Sequence, residues 1–145
     1  MDIRLDDIRI KSAWGAYVLY RLRGWAKKLI LATRRNEEMR AEVMHSLPGI
    51  FALELAFGKY TVRMMKEGDS FRILKTSEKS DDIVCLTAED LPTLKALAVG
   101  SETELAALAQ GRLSYAGLNR YVNVIMRLGD ESYVRKETKT KESDE

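Results

Sequence analysis

The stretch Asp81–Gly117, DDIVCLTAEDLPTLKALAVGSETELAALAQGRLSYAG, constrains the fold more than any other part of this chain. Ile83, Val84, Cys85 and Leu86 form a short apolar run rich in strand formers, bounded by Asp82 and Thr87. Thr87 stands where a helix N-cap belongs, with Glu89 and Asp90 favourable at the positive end of the helix dipole. Pro92 is tolerated only in a first turn, so it fixes where this helix begins. Gly100 ends it. Ser101 and Glu104 then have capping-box spacing for a second short helix, which Gln110-Gly111 closes before another strand. Leu91, Leu94, Leu97 and Ala98 on the first helix, and Leu105, Leu108 and Ala109 on the second, give each one greasy side. The block offers apolar surface and no reactive groups.

Three strands are expected upstream. Pro48-Gly49 breaks a helical arm, after which Phe51, Leu53, Leu55 and Phe57 alternate along one face. Gly58 turns the chain into Lys59–Lys66, where Tyr60, Val62 and Met64 alternate with polar neighbours. Glu67-Gly68-Asp69 turns it again into Ser70–Leu74, with Phe71 and Ile73 on one face. Tight turns between alternating runs predict an antiparallel meander. After Gly117, Leu118, Tyr121, Val122, Ile125 and Met126 return to helical spacing. The fold class is therefore α+β: a five-stranded, mostly antiparallel sheet covered by helices, with a helical N-terminal arm. The boundaries are residues 1–47 for the arm, 48–129 for the mixed domain and 130–145 for a tail. That tail, DESYVRKETKTKESDE, has too little apolar content to offset ordering and is expected to be disordered beyond about Tyr133.

The order of these features resembles the lipid-binding family of sterol carrier protein 2. Asp82, Glu89-Asp90-Leu91, Leu94, Leu97, Gly100, Gln110-Gly111, Leu113 and Gly117 carry the resemblance, and Gly49-Ile50-Phe51-Ala52-Leu53 is similar to the family's first strand. It spans about residues 45–129. Pro92, the compact turn at Ala56-Phe57-Gly58 and the long arm before His45 depart from the family pattern. The resemblance implies a cavity between sheet and helices for an acyl, sterol-like or isoprenoid ligand, and places Gln110 where it approaches that tunnel. Strand alternation and helix stripes select Phe51, Leu53, Val62, Phe71, Leu94, Leu97, Leu108, Leu113 and Met126 as the lining. From patterning alone, the apolar faces simply pack on one another, as in most α+β domains, or serve a dimer, and Gln110 equally faces solvent. Some proteins carrying such a domain resemble accessory factors of quinone synthesis.

The arm has its own character. From Ile8 to Asn36 it carries eight basic residues and no acidic one. Trp14, Val18, Leu22, Trp25 and Leu29 recur at helical spacing, and Gly24 is a candidate bend. Trp14, Arg21, Trp25, Lys27 and Lys28 therefore suit a helix lying on an anionic membrane surface. Equally, the stripe can face the domain or a second subunit, making a homodimer. No nucleic-acid motif accompanies the basic residues, and the net charge of +2 argues for no such partner.

Composition excludes several classes. A single cysteine leaves no internal disulfide and no cysteine-based zinc site. No run reaches the length of a membrane span, and the first residues lack a secretory pattern, so a cytoplasmic protein, peripheral to membranes at most, is expected. His45 is the only histidine, Cys85 sits within an apolar strand, and the acidic residues lie scattered in caps and turns. No catalytic residue, metal or cofactor is expected.

Overall fold

The computed structural model describes residues 2–47, 51–68, 70–74 and 82–132, with side chains from residue 13 onward and that of Asp82 excepted. Two helices come first, α1 (Asp2–Thr33) and α2 (Glu37–His45). Strands β1 (Phe51–Phe57), β2 (Tyr60–Glu67), β3 (Ser70–Ile73) and β4 (Asp82–Ala88) follow, then α3 (Leu91–Val99), α4 (Glu104–Ala109) and β5 (Leu113–Ala116). A 3-10 turn at Asn119–Tyr121 leads into a helix over residues 122–132, here α5. The five strands form one sheet in the order β3-β2-β1-β4-β5. β1 pairs antiparallel with β2, β2 with β3 and β4 with β5, whereas β1 and β4 run parallel. The meander and the mostly antiparallel sheet are as the sequence predicts.

The register sorts the side chains into two faces, because neighbours across a ladder point the same way. Leu53 pairs with Met64 and Val84, Leu55 with Val62 and Leu86, and Phe57 with Tyr60 and Ala88. Ile73 lies beside Met64, and Leu113 beside Ala88. That face is apolar across all five strands apart from Lys66, which lies beside Phe71 at one end of it. The other carries Glu54 beside Arg63 and Cys85, with Thr87 beside Ser114. Only the apolar face needs cover.

α1 supplies much of it. Val18, Leu22, Trp25 and Leu29 are all buried within the core cluster that contains the apolar sheet face. At one end the Trp14 ring meets Phe57 edge-on at 6.4 Å. At the other, the Thr33 hydroxyl lies 3.3 Å from that of Ser70. The stretch between spans about 27 Å at 1.5 Å per residue, which matches the roughly 26 Å of an eight-residue strand such as β2. The helix passes closely at Gly15, where a Cβ would lie 2.9 Å from the Tyr60 ring. On the same side of the sheet, Tyr121 packs edge-on against Phe51 at 5.2 Å, and Ile125, Met126 and Leu128 of α5 join the core.

Some local expectations are corrected. Thr87 does not cap α3: β4 continues through it, paired with Ser114, and Asp90 is the cap, accepting from the Thr93 amide at 2.8 Å. Strand pairing satisfies the Thr87 backbone and leaves the next carboxylate free for the helix. Pro92 does fall in the first turn of α3, and Gly100 ends it in a left-handed conformation. For α4 the cap is Thr103 rather than Ser101, its hydroxyl accepting from the Ala106 amide at 3.1 Å. α1 runs through Gly24 as one unbroken helix, because burial of the stripe on both sides offsets the propensity cost of about 1 kcal/mol. Residues 130–132, placed in the tail by composition, are helical, and Ser132 is buried. Residues 133–145, the Pro48-Gly49 break and the polar segment 75–81 lie outside the described residues.

Candidate functional site

The structure brings the expected lining residues together. Phe51, Leu53, Leu94 and Leu97 have no exposed surface, and Val62, Phe71, Leu113 and Met126 are buried in the same cluster. Leu108 packs against it while half-exposed. The five strand positions share the apolar face, with α3 and α5 placing their leucines and Met126 over it. Gln110 does not join them. It is exposed, and its Oε1 accepts from Arg112 Nε at 3.0 Å, so its amide is engaged at the surface.

Beneath α4 lies a polar group that sequence reasoning missed. Glu104 is fully buried. Its Oε1 accepts from the Trp25 indole Nε1 at 3.2 Å and from Lys28 Nζ at 3.0 Å. Those donors stand three residues apart on one face of α1, so the helix delivers both to one oxygen. The second oxygen, Oε2, has no hydrogen-bond partner among the described residues. It rests against Gly129 of α5, where an added Cβ would overlap it. Three helices thus meet on one carboxylate. The only signal in the sequence is a glycine interrupting the apolar spacing of α5, whereas capping-box spacing turned Glu104 toward the backbone.

This cluster corrects the expected membrane face of the arm. Trp25 is wholly inside and Lys28 is paired, so neither faces outward. The indole carries a large apolar area to bury and a single N–H to satisfy, and Glu104 meets both requirements. Arg21 is half-buried, donating to the Tyr17 hydroxyl at 3.3 Å and lying 5.5 Å from that ring's centre. Lys27 is exposed and Trp14 is 45% exposed.

Glu104 also affects its neighbour on α5. Burial raises the Asp130 carboxyl above its ordinary range, and the charge of Glu104 raises it further. A raised folded pKa favours the protonated acid, so its stabilising contribution is present at low pH and is lost as pH rises through the folded value. Asp130→Asn should therefore melt higher than the parent near neutral pH. The gain should shrink as pH falls through the raised folded value and be gone below the ordinary aspartate value of about 3.9. Thermal melts of both proteins across that range check it, and a gain independent of pH would contradict the assignment.

On the polar sheet face, Arg63 donates to Glu54 at 2.6 Å, and the Cys85 thiol lies 3.7 Å from Glu54. Burial pushes that thiol up, away from reactive thiolate. His45 lines two open depressions of about 320 and 410 Å³, the first with Arg40 and Lys66, the second with Arg120 and Tyr121. Lys66 is committed there to the carbonyls of Met44 and Leu47 at the end of α2. Cys85 and His45 thus occupy different parts of the molecule, one on the sheet's polar face and one in the last turn of α2. Among the described residues, no group of three or more His, Cys, Asp or Glu side chains is arranged for a metal ion, and no helix is long and apolar enough to cross a membrane.

No protein-family model matches the chain, and no curated protein matches it either. Solved structures do. UbiJ-SCP2, described as a ubiquinone synthesis protein, superposes with a TM-score of 0.51 at 15% identity, covering 77% of this chain and 89% of that one. A conserved hypothetical protein of Thermus thermophilus gives 0.46 at 18% identity, covering 75% and 84%. Sterol carrier protein 2 like 2 of Aedes aegypti gives 0.40 at 18% identity, covering 63% and 89%. The chain has the SCP2-type fold.

Proposed function

We propose that this protein binds a single lipid chain, acyl, sterol-like or isoprenoid, between the apolar sheet face and its helices, and does no chemistry on it. The observation that supports this reading is a sheet face apolar across all five strands except at Lys66, covered on that side by helices in an SCP2-type arrangement. Each buried methylene contributes roughly 0.8 kcal/mol, so a long chain needs little polar help. The lining side chains are already buried against one another, so a ligand enters by displacing a helix rather than by filling an open hole. Met64 on the sheet and Met126 on α5 suit such repacking, because an unbranched thioether adapts to irregular neighbours. Likeness to UbiJ-SCP2 makes a polyprenyl quinone precursor the first isoprenoid to try.

Native mass spectrometry of freshly purified protein tests the reading directly. A mass increment released by solvent and identified as a lipid supports it, together with displacement of a fluorescent fatty acid by unlabelled lipid. Bare polypeptide mass and no saturable fluorescence would leave a scaffold module with a packed core. His45→Gln and Cys85→Ala separate carriage from catalysis. Both should bind lipid within a few fold of the parent, and Cys85→Ala should cost on the order of 1 kcal/mol of stability. A turnover assay in which either change destroyed activity while binding survived would overturn the non-catalytic reading.

A further inference from the structure

A carboxylate oxygen buried without a donor carries a binding preference of its own, because any group that brings it a proton to share recovers free energy lost on burial. Among the described residues, Glu104 Oε2 is the one buried side-chain nitrogen or oxygen that no hydrogen bond reaches. Both donors of the cluster stand on the other oxygen, Trp25 Nε1 at 3.2 Å and Lys28 Nζ at 3.0 Å. The surroundings are hydrocarbon. Trp25, Ala107 one turn along α4, and Leu128 beside Gly129 all belong to the core cluster that contains the sheet's apolar face. α5 closes over the free oxygen at Gly129, the residue type that allows so near an approach.

We propose that Glu104 Oε2 accepts a hydrogen bond from the hydroxyl of a neutral lipid, an alcohol or a phenol, and so selects the ligand by its polar end. This assignment rests on the lipid-binding reading above and adds a head group to it. As α5 moves off the core to admit a chain, the hydroxyl takes the place at Oε2 and the hydrocarbon lies along the sheet face. A hydroxyl donating to a carboxylate is among the stronger hydrogen bonds, and a low-dielectric surrounding strengthens it further. The acceptor is held ready, since Trp25 and Lys28 keep Oε1 in place while Oε2 changes partner. A fatty acid fits poorly here. At neutral pH its carboxylate has no proton to donate and meets the charge of Glu104, with the half-buried Asp130 acid next on α5. Lys28, the cation at the site, is already paired.

Displacement of Nile red, a neutral apolar dye, from the full chain by hexadecanol, pentadecylphenol and palmitate at neutral pH tests this. The parent should prefer both hydroxyl lipids to palmitate, and the tighter of the two tells alcohol from phenol. Any apolar site disfavours a carboxylate, so the decisive quantity is how the preference changes in E104Q. There the amide oxygen stays with Trp25 and Lys28, and the amide nitrogen stands where Oε2 was, as a donor. The hydroxyl-to-palmitate preference should therefore fall by about tenfold or more, a change of the size that one charge-assisted hydrogen bond commands. Circular dichroism checks that the variant is folded. If the unpaired ammonium unfolds E104Q, K28M/E104Q removes it and should show the same fall. A parent that binds palmitate as tightly as the hydroxyl lipids, or a preference unchanged in the folded variant, would overturn this assignment while leaving lipid binding intact. Displacement by none of the three would overturn the lipid-binding reading and the head group with it.

Discussion

Gly129→Ala should destabilise the protein by roughly 3 kcal/mol or more, a large effect for adding one methyl group. The new Cβ would overlap Glu104 Oε2, closer than any contact permits. The carboxylate cannot simply swing away, because Trp25 and Lys28 hold its other oxygen and the residue has no exposed surface. Either α5 moves off the core, taking Ile125 and Leu128 with it, or Glu104 leaves Lys28 and the indole N–H without their acceptor. Breaking such a buried set costs about 3–5 kcal/mol. Urea denaturation measures the loss, and a double-mutant cycle identifies its cause. In a Glu104→Ala background the carboxylate is gone, so Gly129→Ala should cost far less there than in the parent. Equal costs in the two backgrounds would show that Gly129 matters for some reason other than the carboxylate.

Leu97→Glu should have a comparable effect through different physics. Leu97 lies on α3 with no exposed surface, within the cluster formed by the sheet's apolar face and α1. An unpaired carboxylate placed there faces a desolvation cost of several kcal/mol and has no donor provided for it. The contrast with Glu104 is instructive, since both positions are buried on the same side of the sheet. One carboxylate is met by an indole and an ammonium, the other would meet only hydrocarbon. Leu97→Ala, which removes contacts without adding charge, should cost about 2–5 kcal/mol and remain foldable. Circular dichroism separates unfolding from loss of lipid binding in the Glu variant. Native spectra and parental melting for Leu97→Glu would mean that Leu97 does not face the core.

The sheet and its faces were legible because strand alternation is a local property. Phe51, Leu53, Leu55 and Phe57 share a face by the two-residue period alone, and the ladders to Val62, Met64, Val84 and Leu86 then follow from burying it. The extent of α3 was legible for the same reason, since Pro92 and Gly100 act on the backbone within one turn. Cap identity was less so. Thr87 and Asp90 are both competent caps, and the choice between them was made by β5, whose pairing holds Thr87 in the strand. Among the candidate site residues, those chosen by alternation or stripe converge on one layer. Gln110, placed by resemblance, is held at the surface by Arg112.

What the sequence could not determine is which side of α1 faces in. Its aromatic stripe suits a lipid surface or a protein core equally, because either is an apolar phase with a polar edge. Tertiary structure decided it through the sheet, whose apolar face needs a cover of the length that the helix after Gly15 provides. It was also tertiary structure alone that turned Glu104 inward, joining residues 25, 28, 104 and 129 on one carboxylate. No period or spacing encodes that meeting. By itself the sequence determined the strands, the turns and the greasy sides, since backbone geometry and solvent act on each segment separately. The buried charge depends on three helices arriving at one point, and only their packing on a common face brings them there.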